Sequence, residues 1–136
     1  MTDFRHVTDD FSAAPQINLA DVAEARRRGF TAIICNRPDG EDPGQPSAAE
    51  IAAAAEAAGL TYAHIPVRGA PGPAGVEAMR QAVDAASGPV LAYCRSGTRS
   101  ITTWAIGQAM SGAMERGELV ALGREAGYDL SGVLGG

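Results

Sequence analysis

The residues whose types and spacing are best suited to a chemical reaction are CRSGTRS, residues 94–100, which follow an apolar run. Four short or flexible residues separate Cys94 from Arg99, namely Arg95, Ser96, Gly97 and Thr98. Such a segment can curl so that successive backbone N–H groups face a common centre and bind an anion. Nearby N–H donors and positive charge also favour the thiolate form of a cysteine, which is its nucleophilic form. The spacing therefore predicts a nucleophile and an anion-binding loop within the same seven residues.

A helix that follows this loop strengthens the predicted anion site. Ile101, Trp104 and Ala105 share one face of a helical pattern. The first N–H groups of a helix are unpaired, and they carry partial positive charge toward the preceding loop. The planar guanidinium of Arg99 can add two parallel donors. We expect Cys94 to be the nucleophile, with Arg99 and residues 95–98 binding the anion.

Helix and strand patterns alternate along the chain. Capping pairs Asn18–Asp21 and Ser47–Glu50 predict two helix starts. The five predicted helices cover about residues 18–29, 47–59, 73–87, 101–109 and 115–127, and the predicted strands cover 31–35, 61–67 and 90–94. This alternation predicts one α/β domain over residues 1–136, with a mainly parallel central sheet flanked by helices. In such sheets ligands bind beyond the carboxyl ends of the strands, which is where Cys94 lies.

Composition excludes several classes of partner. Sixteen acidic against eleven basic side chains give a net charge of −5, which argues against nucleic acid or an anionic membrane as the partner. The polar N-terminus and the lack of a long apolar run predict a cytoplasmic protein, so Cys35 and Cys94 are expected to be free thiols. With only two histidines, His6 and His64, no metal-ligand spacing is found, and we expect neither metal nor cofactor.

The loop Cys94–Ser100 resembles the active loops of cysteine-dependent phosphatases and of rhodaneses. The longer run from PQINLADVAEARRRGFTAIICNRPDGED through GLTYAHIPV to GPVLAYCRSGTRS more closely resembles the phosphatase-like domain of bacterial β-lactamase-hydrolase-like proteins. That resemblance implies a protein-tyrosine-phosphatase-like fold and a sulfurtransferase or phosphatase activity. It also implies that Cys94 is the nucleophile, that Arg99 binds the anion, and that Ser100 helps the thiolate leave.

Three departures from the phosphatase pattern favour sulfur transfer. Four residues separate Cys94 from Arg99, as in rhodaneses, where phosphatases of this type have five. The loop RGAPGPAG, where the phosphatase general acid is expected, has no carboxylate before Glu77. Tyr93 replaces the histidine that usually precedes the nucleophile. Sulfur transfer tolerates these changes, because a sulfite or thiolate leaving group needs no proton.

Residues in the turn NRPDGED have two interpretations each. Asn36 and Arg37 are candidates to brace the active loop, or they have a purely structural role. Asp39, Glu41 and Asp42 have two interpretations as well. One of them could replace the missing general acid of phosphatases, or all three are solvated loop carboxylates. Cys35 and His64 are expected to be structural.

Three functions remain open at this stage. The leading hypothesis is a sulfurtransferase that moves sulfur from thiosulfate or a persulfide to a thiol acceptor through a Cys94 persulfide. The alternative enzyme is a phosphatase that forms a phosphocysteine on a small anionic substrate. A non-catalytic anion-binding module is the third, although it has no need of a cysteine at the base of the loop.

Overall fold

The computed structural model describes residues 2–134, which form five strands and six helices. The strands are β1 (Arg5–Thr8), β2 (Phe11–Ala14), β3 (Ala32–Cys35), β4 (Thr61–His64) and β5 (Val90–Tyr93). The helices are α1 (Leu19–Arg27), α2 (Ala48–Ala57), α3 (Pro73–Ala85), α4 (Thr98–Ser111), α5 (Arg116–Ala126) and α6 (Ser131–Leu134). Strands and helices alternate from β2 to α4, which confirms the predicted α/β class.

The five strands make one sheet in the order β1-β2-β5-β3-β4. β2, β5, β3 and β4 are parallel, and only the edge strand β1 is antiparallel. The predicted mainly parallel sheet is therefore confirmed. Because β2, β3 and β4 all run in the direction of β5, their carboxyl ends meet at one edge, beside the loop that follows β5.

Both predicted capping pairs are present. The Asn18 side chain accepts a hydrogen bond from the Asp21 N–H at 2.9 Å, and the Asp21 carboxylate accepts one from the Asn18 N–H at 2.9 Å. Ser47 and Glu50 make the same reciprocal pair at the start of α2. These boxes satisfy N–H groups that a helix start leaves unpaired, so the two helix starts are fixed by local sequence.

Helices cover both faces of the sheet. On one face α1 and α2 enclose an apolar cluster with Ile17, Val22, Ile33, Ile51 and Leu91. On the other face α3, α4, α5 and α6 enclose a second cluster, in which the rings of Phe11 and Trp104 stack at 4.7 Å between centroids. Burial on two faces explains why β3 and β5 are entirely apolar and have no alternating pattern.

The sheet has two strands that the sequence patterns do not predict. β1 and β2 form an antiparallel hairpin before α1, and their register shifts between His6 and Thr8. β2 reads FSAA and is buried throughout, so it has neither alternation nor β-branched residues to identify it. β4 also ends at His64, earlier than the predicted residue 67, although the N–H groups of Ile65 and Val67 still donate to the Cys35 and Asn36 carbonyls at 2.8 and 2.9 Å.

In residues 2–134, no helix is both long enough and apolar enough to cross a membrane.

Candidate active site

Cys94 follows β5 directly and lies at the centre of the sheet's carboxyl edge. Its N–H donates to the Ala14 carbonyl at the end of β2, at 3.3 Å. The carbonyl of the following residue, Arg95, accepts from the Gln16 N–H at 3.3 Å. These two bonds attach the start of the loop to the neighbouring strand. Cys94 is fully buried, and its Sγ accepts a hydrogen bond from the Gly97 N–H at 3.1 Å. The backbone of the loop thus turns back over the sulfur.

Gly97 gives the loop its curvature. It has φ of +94° and precedes the first residue of α4, Thr98, whose N–H donates to the Ser96 hydroxyl at 3.4 Å. Ser96 and Thr98 share a hydroxyl–hydroxyl hydrogen bond of 3.0 Å on the exposed side of the loop. The N-terminal N–H groups of a 14-residue helix are therefore directed at the loop. Such a helix terminus stabilises an anion.

The guanidinium of Arg99 lies between two loops that follow other strands. Its Nη1 donates to the Val67 carbonyl at 2.8 Å, beyond β4. Nη1 and Nη2 also donate to the two carboxylate oxygens of Glu41, each at 2.8 Å. Arg99 is thus held in a two-pronged ion pair with a residue of the loop after β3. The ion pair raises the pKa of Arg99 and, against the effect of burial, lowers the pKa of Glu41 to about 2.

Arg37 anchors this carboxylate from the other side. Its Nε donates to Glu41 Oε1 at 2.9 Å, Nη2 donates to Asp42 at 2.7 Å, and Nη1 donates to the Gln16 side chain at 3.1 Å. Only 3% of the Arg37 side chain is exposed. A buried guanidinium with three side-chain partners has little freedom, so Arg37 fixes the loop that carries Glu41. Arg37 does not itself hydrogen-bond to the residues of the Cys94 loop.

The Arg37 carbonyl collects two further contacts. Cys35 Sγ donates to it at 3.3 Å, and His64 Nε2 lies 2.9 Å from it. Burial raises the pKa of the Cys35 thiol. Cys35 is a free buried thiol among the side chains under α1 and α2, and His64 contacts backbone, in agreement with the structural roles predicted for both.

Two buried polar atoms beside the loop have no hydrogen-bond partner. They are Ser100 Oγ, in the first turn of α4, and Asn36 Oδ1, directly after β3. The Asn36 amide nitrogen donates to the Ile65 carbonyl at 3.0 Å, and its backbone N–H donates to the Tyr93 carbonyl at 2.8 Å. Asn36 therefore ties together the ends of three strands. Leaving buried hydroxyl and carbonyl groups unpartnered is costly, so each of the two atoms is a position where a water, an ion or a bound group can supply the hydrogen bond.

The structure separates the three carboxylates of the turn after β3. Glu41 reaches Arg99, whereas Asp42 is paired with Arg37 alone. Asp39 accepts a hydrogen bond from the Ala48 N–H at 2.8 Å and so caps the first turn of α2, away from Arg99. In the loop after β4, residues 65–72 contain no carboxylate, and the first one beyond it, Glu77, is paired with Arg80.

Tyr93 is directed away from the loop. Its hydroxyl lies 3.1 Å from that of Tyr62, within the cluster under α1 and α2. Burial is the main reason why the pKa of each phenol is raised. Both phenols therefore stay uncharged, and neither places a negative charge near the Cys94 thiol.

Two residues at the site are absent from the sequence prediction. Tyr128 donates from its hydroxyl to the Ser96 carbonyl at 3.0 Å, and Gln16 contacts both Arg37 and the Arg95 carbonyl. Tyr128 lies 32 residues beyond Ser96, so no local signal connects them. Glu41 is present in the prediction only as a candidate acid, and its contact with Arg99 joins the loop after β3 to the first turn of α4, 58 residues apart.

Known proteins share this architecture. A Neisseria meningitidis protein, solved as a candidate phosphatase, superposes with a TM-score of 0.85 at 35% identity, covering 97% of this chain and 94% of that chain. Pseudomonas aeruginosa TpbA superposes with a TM-score of 0.60 at 18% identity, covering 93% of this chain and 85% of its own. The latter similarity shows the fold alone. Together these neighbours confirm the protein-tyrosine-phosphatase-like fold.

Sequence relatives indicate the family. The beta-lactamase hydrolase-like protein of Agrobacterium fabrum is 38% identical over 125 residues, and the Xylella fastidiosa protein of the same name is equally similar. The match covers 91% of this chain but only 29% of either relative, so the chain spans less than a third of their length. The family model described as the phosphatase-like domain of beta-lactamase hydrolase-like protein matches residues 3–111. The chain therefore belongs to the family of beta-lactamase hydrolase-like, phosphatase-like domains.

Proposed function

We propose that this domain catalyses group transfer through a covalent bond to Cys94 Sγ. The Gly97 N–H at 3.1 Å from the sulfur and the start of α4 support this role, because they stabilise negative charge at that point. Arg99 binds the anionic part of the substrate, assisted by the backbone N–H groups of residues 95–98. Ser100, whose buried hydroxyl has no partner, supplies a hydrogen bond to the departing sulfur.

The transferred group in this proposal is a sulfane sulfur. The observation that carries it is the state of the carboxylates around Arg99: Glu41 and Asp42 are charged ion-pair partners, and Asp39 caps α2. A carboxyl group whose pKa is about 2 holds no proton at neutral pH. Hydrolysis of an alkyl phosphate requires a proton donor to the leaving oxygen, whereas sulfur transfer requires none.

The reaction has two balanced steps. The Cys94 thiolate attacks the outer sulfur of thiosulfate or of an organic persulfide, a new S–S bond forms to Sγ, and sulfite or a thiolate leaves with the electrons of the broken S–S bond. An acceptor thiolate then attacks the outer sulfur of the Cys94 persulfide. That step returns the Cys94 thiolate and gives a persulfide of the acceptor. No external oxidant or reductant is consumed.

Phosphate ester hydrolysis is the second candidate, and the Neisseria meningitidis protein supports it, since that relative is described as a candidate phosphatase and covers almost the whole chain. In that reaction Cys94 attacks phosphorus, the ester oxygen leaves, and water hydrolyses the phosphocysteine. Without a protonated carboxyl, the reaction should be confined to esters with acidic leaving groups, such as aryl phosphates. General acid catalysis typically contributes ~10²- to 10⁴-fold to the rate.

One experiment compares the two reactions. The purified protein is incubated with thiosulfate or with glutathione persulfide, and intact-mass measurement detects one added sulfur atom. Aryl and alkyl phosphate hydrolysis are measured in parallel. We expect the sulfur adduct, weak aryl phosphatase activity and almost no alkyl phosphatase activity. Cys94→Ser should abolish the adduct, and Arg99→Ala should weaken use of the anionic donor. Arg124→Ala, at a helix end outside the site, is the matched control.

Other outcomes reject the proposal. Alkyl phosphate hydrolysis as fast as sulfur transfer reverses the order of the two candidates. If neither a sulfur adduct nor phosphate release is detected, while sulfate still binds to the loop, the domain is a non-catalytic anion-binding module.

A further inference from the structure

We infer that Arg37 is a positioning residue for the reaction at Cys94. It fixes both ends of the Cys94 loop, one through Gln16 and the other through Glu41. In this way one free edge of Arg99 is directed at the bound anion. This inference rests on the proposed function, because it assigns the residue that orients the anion-binding groups of that site. Arg37 does not hydrogen-bond to the loop itself and acts through its two partners.

Arg37 is fixed at both its backbone and its side chain. Its carbonyl, just beyond β3, accepts from Cys35 Sγ at 3.3 Å and lies 2.9 Å from His64 Nε2. Only 3% of the side chain is exposed. The three nitrogens of its guanidinium each donate to a different side chain, namely those of Glu41, Gln16 and Asp42. A planar group held at all three nitrogens cannot rotate without breaking hydrogen bonds, so Arg37 is a rigid support.

The Gln16 branch holds the start of the loop. The Gln16 side-chain oxygen accepts from Arg37 Nη1 at 3.1 Å, and its amide nitrogen donates to the Ile17 carbonyl at 2.8 Å. The backbone N–H of Gln16 donates to the Arg95 carbonyl at 3.3 Å. Arg95 directly follows the nucleophile. The support from Arg37 therefore reaches the first loop residue beyond Cys94.

The Glu41 branch holds the other end of the loop and decides which N–H groups of Arg99 are free. Glu41 Oε1 accepts from Arg37 Nε at 2.9 Å and from Arg99 Nη2 at 2.8 Å, and Oε2 accepts from Arg99 Nη1 at 2.8 Å. Nη1 also donates to the Val67 carbonyl at 2.8 Å. These contacts use three of the five guanidinium N–H groups. They leave the Nε–H and one Nη2–H, which lie side by side on one edge.

That edge is the part of Arg99 suited to a substrate oxyanion. Two parallel N–H donors match two oxygens of a sulfonate or phosphate group. Glu41 is the main cause of the raised pKa of Arg99, and Cys94 also raises it against the effect of burial, so the guanidinium lies close to the sulfur. Without Glu41 the long Arg99 side chain regains rotational freedom, and an anion must then order that side chain on binding.

Charge alone predicts the opposite effect of Glu41, which makes the inference testable. A carboxylate beside an anion-binding arginine repels an anion, so a role through charge means that Glu41→Gln tightens sulfate binding. Positioning means that the same change weakens it, because glutamine has one acceptor oxygen for two arginines. Arg37→Lys keeps the positive charge, but an ammonium cannot hold its partners in the planar arrangement of a guanidinium.

The test measures sulfate binding to isotopically labelled protein, in which the backbone amide signals of residues 96–98 report the dissociation constant. We expect Arg37→Lys and Glu41→Gln each to weaken sulfate binding about tenfold or more, the effect of losing one hydrogen bond between charged groups. Arg80→Lys and Glu77→Gln are the matched controls, because these two residues form an exposed, two-pronged ion pair outside the site. Both controls should leave the dissociation constant unchanged.

A second measurement separates positioning from a general loss of structure. In an Arg99→Ala background, Glu41→Gln should no longer weaken sulfate binding, because the side chain that Glu41 orients is missing. This readout is the same whether the domain transfers sulfur, transfers phosphate or transfers nothing. Its failure is therefore distinct from failure of the proposed function, which is read from the sulfur adduct.

Three results overturn the inference. The first is unchanged sulfate binding in Arg37→Lys. The second is unchanged or tighter binding in Glu41→Gln, which decides the matter even where Arg37→Lys does not fold. The third is a loss from Glu41→Gln that persists in the Arg99→Ala background, which would mean that the substitution disturbs the whole loop.

Discussion

The Tyr128 hydroxyl lies against Gly97, at the point where the Cys94 loop enters α4. A Cβ atom at position 97 would clash with that hydroxyl and would lie 2.9 Å from Cζ of the same ring. The hydroxyl also donates to the Ser96 carbonyl at 3.0 Å. The Tyr128 ring therefore packs against the outer side of the loop. The loop conformation depends on this contact with a residue 32 positions beyond Ser96.

Gly97→Ala should destabilise the loop by more than its backbone conformation alone requires. A non-glycine residue at positive φ costs about 1 to 3 kcal/mol, and the clash with Tyr128 adds to that cost. Gly112→Ala is the matched control, since Gly112 also has positive φ, at +76°, but nothing lies within 4 Å of the added methyl group. Urea unfolding should give a larger loss for Gly97→Ala. Equal losses in the two variants would contradict the close packing of Tyr128.

Tyr128→Phe should loosen the loop without disturbing the core. The change removes the hydrogen bond to the Ser96 carbonyl, and we expect a loss of about 1 kcal/mol in the free energy of unfolding. The informative measurement is hydrogen exchange of the Gly97 N–H, which should become faster. Tyr62→Phe removes a hydroxyl contact on the opposite face of the sheet and should leave that exchange rate unchanged.

Arg37→Met should cost far more stability than a comparable change at the surface. Its three side-chain contacts tie the turn after β3 to Gln16, and a hydrogen bond to a charged group contributes ~1.5 to 3 kcal/mol. We expect a loss of about 2 kcal/mol or more, with faster proteolysis within residues 38–45. Arg80→Met, which removes an exposed arginine paired with Glu77, should change stability by no more than about 0.5 kcal/mol. Similar losses in both variants would remove Arg37 as the anchor of the turn.

The ion pair between Glu41 and Arg99 should make the stability of the fold depend on pH in the acidic range. Folding lowers the pKa of this carboxyl from 4.5 to about 2, mainly through the hydrogen bonds from Arg99. The folded state therefore binds protons less readily than the unfolded state, so the stabilisation is complete above pH 4.5 and is lost as the pH falls toward 2. Thermal unfolding measured across that window should show a steeper decline for the unmodified protein than for Glu41→Gln. Parallel curves would mean that the ion pair does not contribute.

Cys35 should remain unreactive while the protein is folded. Burial raises the pKa of its thiol, and its Sγ donates to the Arg37 carbonyl. In the Cys94→Ser variant, where Cys35 is the remaining cysteine, iodoacetamide should label it slowly in native buffer and rapidly in denaturant. Rapid labelling of the folded variant would show that the strand end opens and that Cys35 is accessible, which contradicts its structural role.

Local sequence determines the parts of this protein that depend on neighbouring residues. The capping boxes at Asn18 and Ser47 fix two helix starts, and Gly97 permits the curvature between β5 and α4. The spacing of Cys94 and Arg99 is enough to predict that both belong to one anion-binding segment, because the cysteine, the arginine and the N–H donors between them lie within six consecutive residues at a helix start. The alternation of strand and helix patterns likewise predicts a mainly parallel sheet.

Tertiary structure decides which side chains surround that loop. Glu41, Val67 and Tyr128 come from three distant segments, and each reaches the loop only because parallel strands end at one edge and α5 packs beside β1. The hairpin of β1 and β2 depends on the same cause, since four buried residues such as FSAA become a strand only by pairing with β5. From local sequence alone, a carboxylate in a turn rich in proline and glycine, such as Glu41, is predicted to be exposed to solvent. The burial and fixed position of Arg37 are what bring Glu41 to the charge of Arg99.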